Sequence, residues 1–216
     1  MSFKEKKLIA VVGATGQQGG GVVRALQTGG QFKVRALTRN PGKHRELVEE
    51  VVEADLDRPG TLKAAFEGAH GVFLVTNFWE EGTDELKQAT AAVRAAKDAG
   101  VKHFVWSTLP NVEAISGGKF DVPHFTGKAK INPIVQEAGF VNHTFVIAPF
   151  FYQNLVGALA PQKQEDGSVA GLFRLIQLCV AFTWATFANL ATSLPAHSYT
   201  RIRQAMASIC PSSVIL

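Results

Sequence analysis

The run Gly13-Ala14-Thr15-Gly16-Gln17-Gln18-Gly19 is the part of this sequence whose spacing most directly implies chemistry. It lies between a short apolar stretch, residues 8–12, and a segment of helical character, residues 18–28. In that setting Gly13 permits a tight exit from a strand. Gly16 lets backbone approach a pyrophosphate, and Gly19 lets the helix pack on the sheet. The helix start then offers free N–H donors and positive potential to the phosphates. A dinucleotide is the expected ligand, the bland alternative being a tight turn that binds nothing.

A second cluster, Thr38-Arg39-Asn40-Pro41-Gly42-Lys43, follows the second apolar run. A site for NAD usually has an acid there to hold the ribose 2′-hydroxyl, whereas Arg39, with Asn40 and Lys43, suits a 2′-phosphate. The expected cofactor is therefore NADP(H) in preference to NAD(H); a solvated basic turn is the other reading. Asp55-Leu56-Asp57 follows the third run, where a carboxylate could meet the adenine amino group, or Asp57 could cap the next helix. Thr76, Asn77 and Phe78, followed by Trp79 and Glu80, come after the fourth run and would lie along the nicotinamide half. Phe78 and Trp79 fit a core or a lid equally well.

The elements that must position these residues alternate in type. Strands are expected over 8–12, 32–37, 51–54, 71–75, 103–107 and 143–147. Helices are expected over 18–28, 44–50, 61–66, 84–99 and 124–137, the last kinked or interrupted at Pro133, with Gly100 capping the one before it. This alternation predicts an α/β class, a doubly wound parallel sheet of the NAD(P)-binding Rossmann type, with ligands at the carboxyl ends of its strands.

Composition narrows the class further. A hydrophobic content of 46% and a charged content of 19% are globular values. The net charge of +4 does not indicate nucleic-acid binding. Residues 172–216 hold Arg174, Arg201 and Arg203 with no acid, which leaves the rest nearly neutral and without a basic stripe. The polar start, Met1 to Lys7, has no signal-peptide pattern, so a cytoplasmic location is expected, with nuclear entry open to a eukaryotic form. Two cysteines are too few for a disulfide framework or a zinc site, and no metal is expected. Residues 175–194 carry no charge, but Gln177, Thr183, Thr186, Asn189 and Thr192 make them a poor membrane span. The sequence leaves the oligomeric state open.

Seven motifs in order, GATGQQGG, LTRNPGK, ADLDRP, FLVTNFWEE, HFVWSTLPN, HFTGK and PFFYQNL, closely resemble the NmrA-like family of atypical short-chain dehydrogenase relatives, over about residues 5–170. The resemblance implies that Gly13 to Gln18 form the pyrophosphate loop and that Arg39 holds the 2′-phosphate. It assigns Lys87 to a cofactor contact and Lys128 to the nicotinamide ribose. It also implies that Phe151, Tyr152, Gln153 and Asn154 close over the nicotinamide end. Active short-chain dehydrogenases use Tyr-x-x-x-Lys, in which the lysine helps the tyrosine move a proton at neutral pH. Here His124 stands four residues before Lys128, so the usual hydroxyl is missing. In the family that substitution goes with sensing the NADP(H) state and regulating a partner protein; the switch expected here is a loop arrangement around residues 78–82 and 150–155 that the partner reads. The rival reading is a reductase of a small carbonyl or quinone substrate, with His124, Lys128 and Ser107, or its neighbour Thr108, protonating or polarising it.

The family fold continues into a smaller C-terminal lobe, and here the likeness stops near Gly171. Beyond that point glycine and acidic residues vanish and both cysteines appear. A one-base shift of reading frame, within the degeneracy of the codons for residues 176–216, can yield a peptide resembling the missing continuation. The expected organisation is a Rossmann domain over 1–155, the start of an incomplete lobe over 156–171, and an out-of-frame tail over 172–216. On that reading Cys179, Cys210 and His197 have no functional role.

Overall fold

Apolar side chains that alternate between two faces of a strand need a layer of helices on each side. The computed structural model shows that arrangement. It describes residues 5–149, with 151, 154, 162–163, 165–166 and 169–170. Six strands, β1 (Lys7–Val12), β2 (Phe32–Thr38), β3 (Glu50–Glu53), β4 (Gly71–Leu74), β5 (His103–Thr108) and β6 (Asn142–Ile147), form one parallel sheet in the order β3-β2-β1-β4-β5-β6. The chain winds outward from β1 in both directions, so the strand order reverses between β1 and β4. A crevice is expected at that point, outside the carboxyl ends.

The pleat sorts β1 between two cores. Ala10 and Val12 face a cluster with Leu62, Phe66, Ala92, Ala96, Trp106 and Ile131, while Val11 faces Val23, Ala36, Val48 and Phe73. The first layer includes helices α2 (Leu62–Phe66), α3 (Glu85–Asp98) and α6 (Asn132–Glu137); the second rests on α1 (Gln17–Gly29). Helix α3 presents Ala89, Ala92 and Ala96, all fully buried, and the small side chains let it lie close to the sheet. Asp84 caps its start by accepting from the Lys87 amide at 3.0 Å, and Gly100, at φ 76°, ends it.

Two expected helices take other forms. Residues 44–50 are not a helix: a 3-10 turn, Pro41–Lys43, leads through irregular backbone into β3 at Glu50. Nucleating a short helix is costly, and here packing opposes it. Val48 is buried and Leu47 packs beside it in the α1 layer, while the Leu47 carbonyl accepts from the Gln27 side chain at 3.2 Å. The expected helix over 124–137 is two helices, α5 (Pro123–Ala129) and α6, because Pro133 has no N–H for a continuous ladder and sits in the first turn of the second. A one-turn helix, α4 (Val112–Ile115), capped by Asn111, lies where none was expected.

The chain separates into two compact units, Met1–Ala148 and Pro149–Leu216. In the second, β7 (Gln162–Lys163) and β8 (Val169–Ala170) pair antiparallel. Residues 172–216 lie outside the described residues, as does the uncharged stretch 175–194. Among the described residues no helix is long and apolar enough to cross a membrane. Nor do they contain a group of His, Cys, Asp and Glu side chains suited to a metal.

Candidate functional site

The turn after β1 is shaped by what its glycines lack. Gly13 has φ 70°, and a Cβ there would stand 2.9 Å from the Val75 side chain. On Gly19 a Cβ would stand 2.1 Å from the Gly13 carbonyl oxygen, so α1 starts directly against the turn. Gly16 is less crowded, its hypothetical Cβ 3.3 Å from that oxygen. The Gly16 amide donates to the Gly13 carbonyl at 2.9 Å, and Gly20 donates to Gly16 at 2.9 Å. The amides of Gln17, Gln18 and Gly19 fall in the first helical turn, where no intrahelical acceptor exists. Thr15, Gly16 and Gln17 are exposed at the mouth and Ala14 is buried behind them. The cradle fits a pyrophosphate.

Arg39 follows β2 and is exposed, with Asn40 and Lys43 beside it. Its guanidinium grips the Glu80 carboxylate in a forked ion pair, whose longer bond is 3.4 Å. The bond and charge of Glu80 hold Arg39 still more firmly protonated. Asp55, at the end of β3, is tied into a local turn in which its carboxylate accepts from the Asp57 amide and from Arg58, both at 3.0 Å. Burial works against that carboxylate's charge, but those two donors outweigh it and hold its pKa below the usual value. Asp57 does not cap the next helix: its two oxygens accept from Gln88 of α3, each at 3.0 Å. Leu56 packs against the core behind Asp55.

At the ends of β4 and β5 the crevice wall is polar and buried. Thr76, Glu85 and Lys128 form one network. The Lys128 ammonium donates to the Thr76 carbonyl at 2.9 Å, the Thr76 hydroxyl at 2.8 Å and Glu85 Oε1 at 2.5 Å. The Thr76 hydroxyl donates to the same Glu85 oxygen. Burial pushes the Lys128 pKa down, opposed by the bond and charge of Glu85. Among the described residues Glu85 Oε2 is buried with no hydrogen-bond partner. The Ser107 hydroxyl donates to the Gln18 side chain at 2.9 Å, joining the end of β5 to the glycine turn.

The 77–84 loop follows this wall. The Asn77 side chain accepts from the Trp79 amide at 3.2 Å. Phe78 and Trp79 are core residues of neither layer, being 38% and 75% exposed. Their rings pack at a tilt against His124 at the start of α5, with centroids 5.6 Å and 5.0 Å from the imidazole. Burial there pushes the His124 pKa below its usual value; Glu85 opposes the shift and Lys128 adds to it. Because the folded-state pKa is depressed, the protein is fully stabilised above the unfolded value near 6.5 and loses that contribution as pH falls through the folded one. Between pH 7.5 and 5.5 the melting temperature of His124→Gln should therefore drop less than that of the parent. Parallel profiles would contradict this placement of His124.

Lys87 is exposed on the first turn of α3. Phe151 and Asn154 belong to the second unit, where the Asn154 amide donates to the Phe151 carbonyl at 3.0 Å; Tyr152 and Gln153 lie outside the described residues.

The family model described as "NmrA-like family" matches residues 5–176. The chain belongs to the NmrA-like family. Among curated members, an NmrA-like family domain-containing protein of Dictyostelium discoideum is 33% identical over 172 residues, 75% of this chain and 57% of its own length. The NAD(P)H azoreductase of Xenophilus azovorans is 40% identical over 152 residues, 69% of this chain and 50% of its own. The chain thus spans about half the length of the curated relatives it matches. Among solved structures, NmrA, a negative transcriptional regulator, in complex with NADP, superposes with a TM-score of 0.64 at 26% identity. That match covers 77% of this chain and 53% of NmrA. The Citrobacter triphenylmethane reductase complexed with NADP(H) gives 0.59 at 27%, covering 68% and 51%.

Against this family background the structure brings together Gly13–Gly19, Gln18 with Ser107, and Thr76 with Lys128. Sequence reasoning placed Glu80 along the nicotinamide half, whereas it pairs with Arg39 at the end of β2, and it missed Glu85. The available signal was their position: two acids in the segment joining the fourth strand to the helix, where each can face a base supplied by another element.

Proposed function

We propose that this NmrA-like chain binds NADP(H), in preference to NAD(H), at the switch point between β1 and β4, and that it reports cofactor occupancy to a partner protein. One observation carries the cofactor reading: a glycine cradle that no Cβ could enter at Gly19 stands beside a strand end bearing Arg39. In this reading the turn and the α1 amides take the pyrophosphate, and Arg39, with Asn40 and Lys43, takes the 2′-phosphate. Asp55 and Leu56 border the adenine, while Thr76, Asn77 and Phe78 run along the nicotinamide half, with Lys87 near the cofactor. Lys128 reaches the nicotinamide ribose only by giving up one of its three bonds. When bound, the cofactor supplies a hydride.

The sensor reading is supported by the chemistry beside Lys128. His124 has no hydroxyl to activate, its imidazole is pushed toward the neutral form, and the lysine faces Glu85. Occupancy can regulate a partner only if the cofactor binds two loop arrangements with different affinity. A second reading, a reductase, is favoured by the names of relatives that act on an azo compound and on triphenylmethane dyes. There His124, Lys128 or Ser107 would protonate or polarise the substrate.

Calorimetric titration with NADPH and NADH tests the cofactor. Replacing a bidentate charged partner of a phosphate costs about 1.5–3 kcal/mol, so Arg39→Ala should weaken NADPH roughly 10- to 100-fold and NADH far less. Equal losses would remove the assigned role of Arg39. NADPH consumption with quinones, aldehydes and an azo dye then separates the two readings. Turnover abolished by His124→Ala selects the reductase, and tight binding without turnover selects the sensor.

A further inference from the structure

Arg39 already holds an anion. Its two Nη groups face the two carboxylate oxygens of Glu80, which stands 41 residues further on in the 77–84 loop. The side chains are 56% and 40% exposed, so this pair adds little to stability and can exchange partners at small cost. A planar guanidinium accepts carboxylate and phosphate in the same forked geometry, and a phosphate brings more charge. The loop that carries Glu80 is anchored at both ends, at Thr76 in the buried network and at Asp84 as the cap of α3. Between those anchors its other hydrogen bonds among the described residues are local, from Trp79 and Glu80 to Asn77 and from Thr83 to Glu80. Arg39 is thus the tie that draws the middle of the loop toward the end of β2.

We infer that Glu80 is a specificity-determining residue: the 2′-phosphate of NADP(H) takes its place on Arg39, whereas NAD(H), with a hydroxyl there, leaves the pair intact. The inference rests on the crevice being an NADP(H) site, and it adds the means by which the two cofactors produce different loop states. Displaced from Arg39, the loop moves with Trp79, whose ring lies tilted against His124 at 5.0 Å between centroids. Asp55 and Asp57 lie close enough to act on Arg39, so the 2′-phosphate binds against their repulsion and its approach expels the like-charged Glu80.

The test uses the full 216-residue chain with NADPH, NADH, 2′,5′-ADP and 5′-AMP as titrants. Removing a competing surface carboxylate in Glu80→Gln should tighten NADPH and 2′,5′-ADP about two- to fivefold and leave NADH and 5′-AMP within about twofold. In the parent, 2′,5′-ADP should shift tryptophan emission and 5′-AMP should not. The shift should vanish in Trp79→Phe, and Glu80→Gln should start at the shifted position. Unchanged or weaker 2′,5′-ADP binding by Glu80→Gln, with normal binding by the parent, overturns the role of Glu80 and leaves the cofactor site standing. A parent chain that binds none of the four overturns both.

Discussion

Lys128→Met is expected to destabilise the protein by about 3–5 kcal/mol, the cost of leaving one member of a buried ion pair without its counter-charge. The partner left behind is Glu85. Both side chains are nearly inaccessible, at 11% for Lys128 and 7% for Glu85. Glu85 would retain only the Thr76 hydroxyl on one oxygen, its other oxygen having no partner among the described residues. The loss should appear as a lower urea midpoint with an unchanged slope. Replacing both charges, in Lys128→Met with Glu85→Leu, should recover most of it, because an apolar pair of similar volume removes the desolvation penalty. A single-variant loss under about 1 kcal/mol would mark the pair as solvated, since that is the range of surface ion pairs. The pair is a costly way to hold the crevice wall, and its bonds fix Lys128 in place through Glu85 and Thr76.

Gly19→Ala is the second large effect. The added methyl would stand 2.1 Å from the Gly13 oxygen and 2.6 Å from the Gly13 carbonyl carbon. Both are backbone atoms, so no side-chain rotation relieves the clash. Helix α1 must then withdraw from the turn, at about 3 kcal/mol of overpacking strain. Dinucleotide affinity should fall further than in Arg39→Ala, because the amides and the Gln18 side chain that meets Ser107 move together. Gly21→Ala, two residues along the same helix, is the control. Its Cβ would meet only the tip of Arg24, at 4.0 Å. In a helix interior that substitution should stabilise by about 0.5–1 kcal/mol. If both variants melt and bind alike, α1 does not depend on its approach at Gly19.

Much of this could be read along the chain because the signals are local. The glycine turn between an apolar run and a helix, a basic residue at the end of the second strand, and the alternation of strand and helix are set within a few residues of each other. Together they specify the parallel sheet and the place of its crevice, since crossover connections of one hand leave few other arrangements. Even the break in the helix around Pro133 is a local property. The failures were local signals overruled by distance. Residues 44–50 are drawn out of a helix because Val48 and Leu47 meet the α1 layer.

Glu80 and Glu85 show the same limit at the site. In sequence both belong to an acidic stretch leading into α3, which is what a solvated helix start with favourable dipole interactions looks like. Their partners arrive from 41 and 43 residues away, on the end of β2 and on α5. Which of those acids would be buried against Lys128, and which would hold Arg39 at the surface, depends on burial and approach between distant elements. The sequence alone determined the fold class and the glycine turn at the end of the first strand. The tertiary structure decided which carboxylate meets which cation, because the strength of a charge pair is set by its distance and its exclusion from water, and both exist only once the chain has folded.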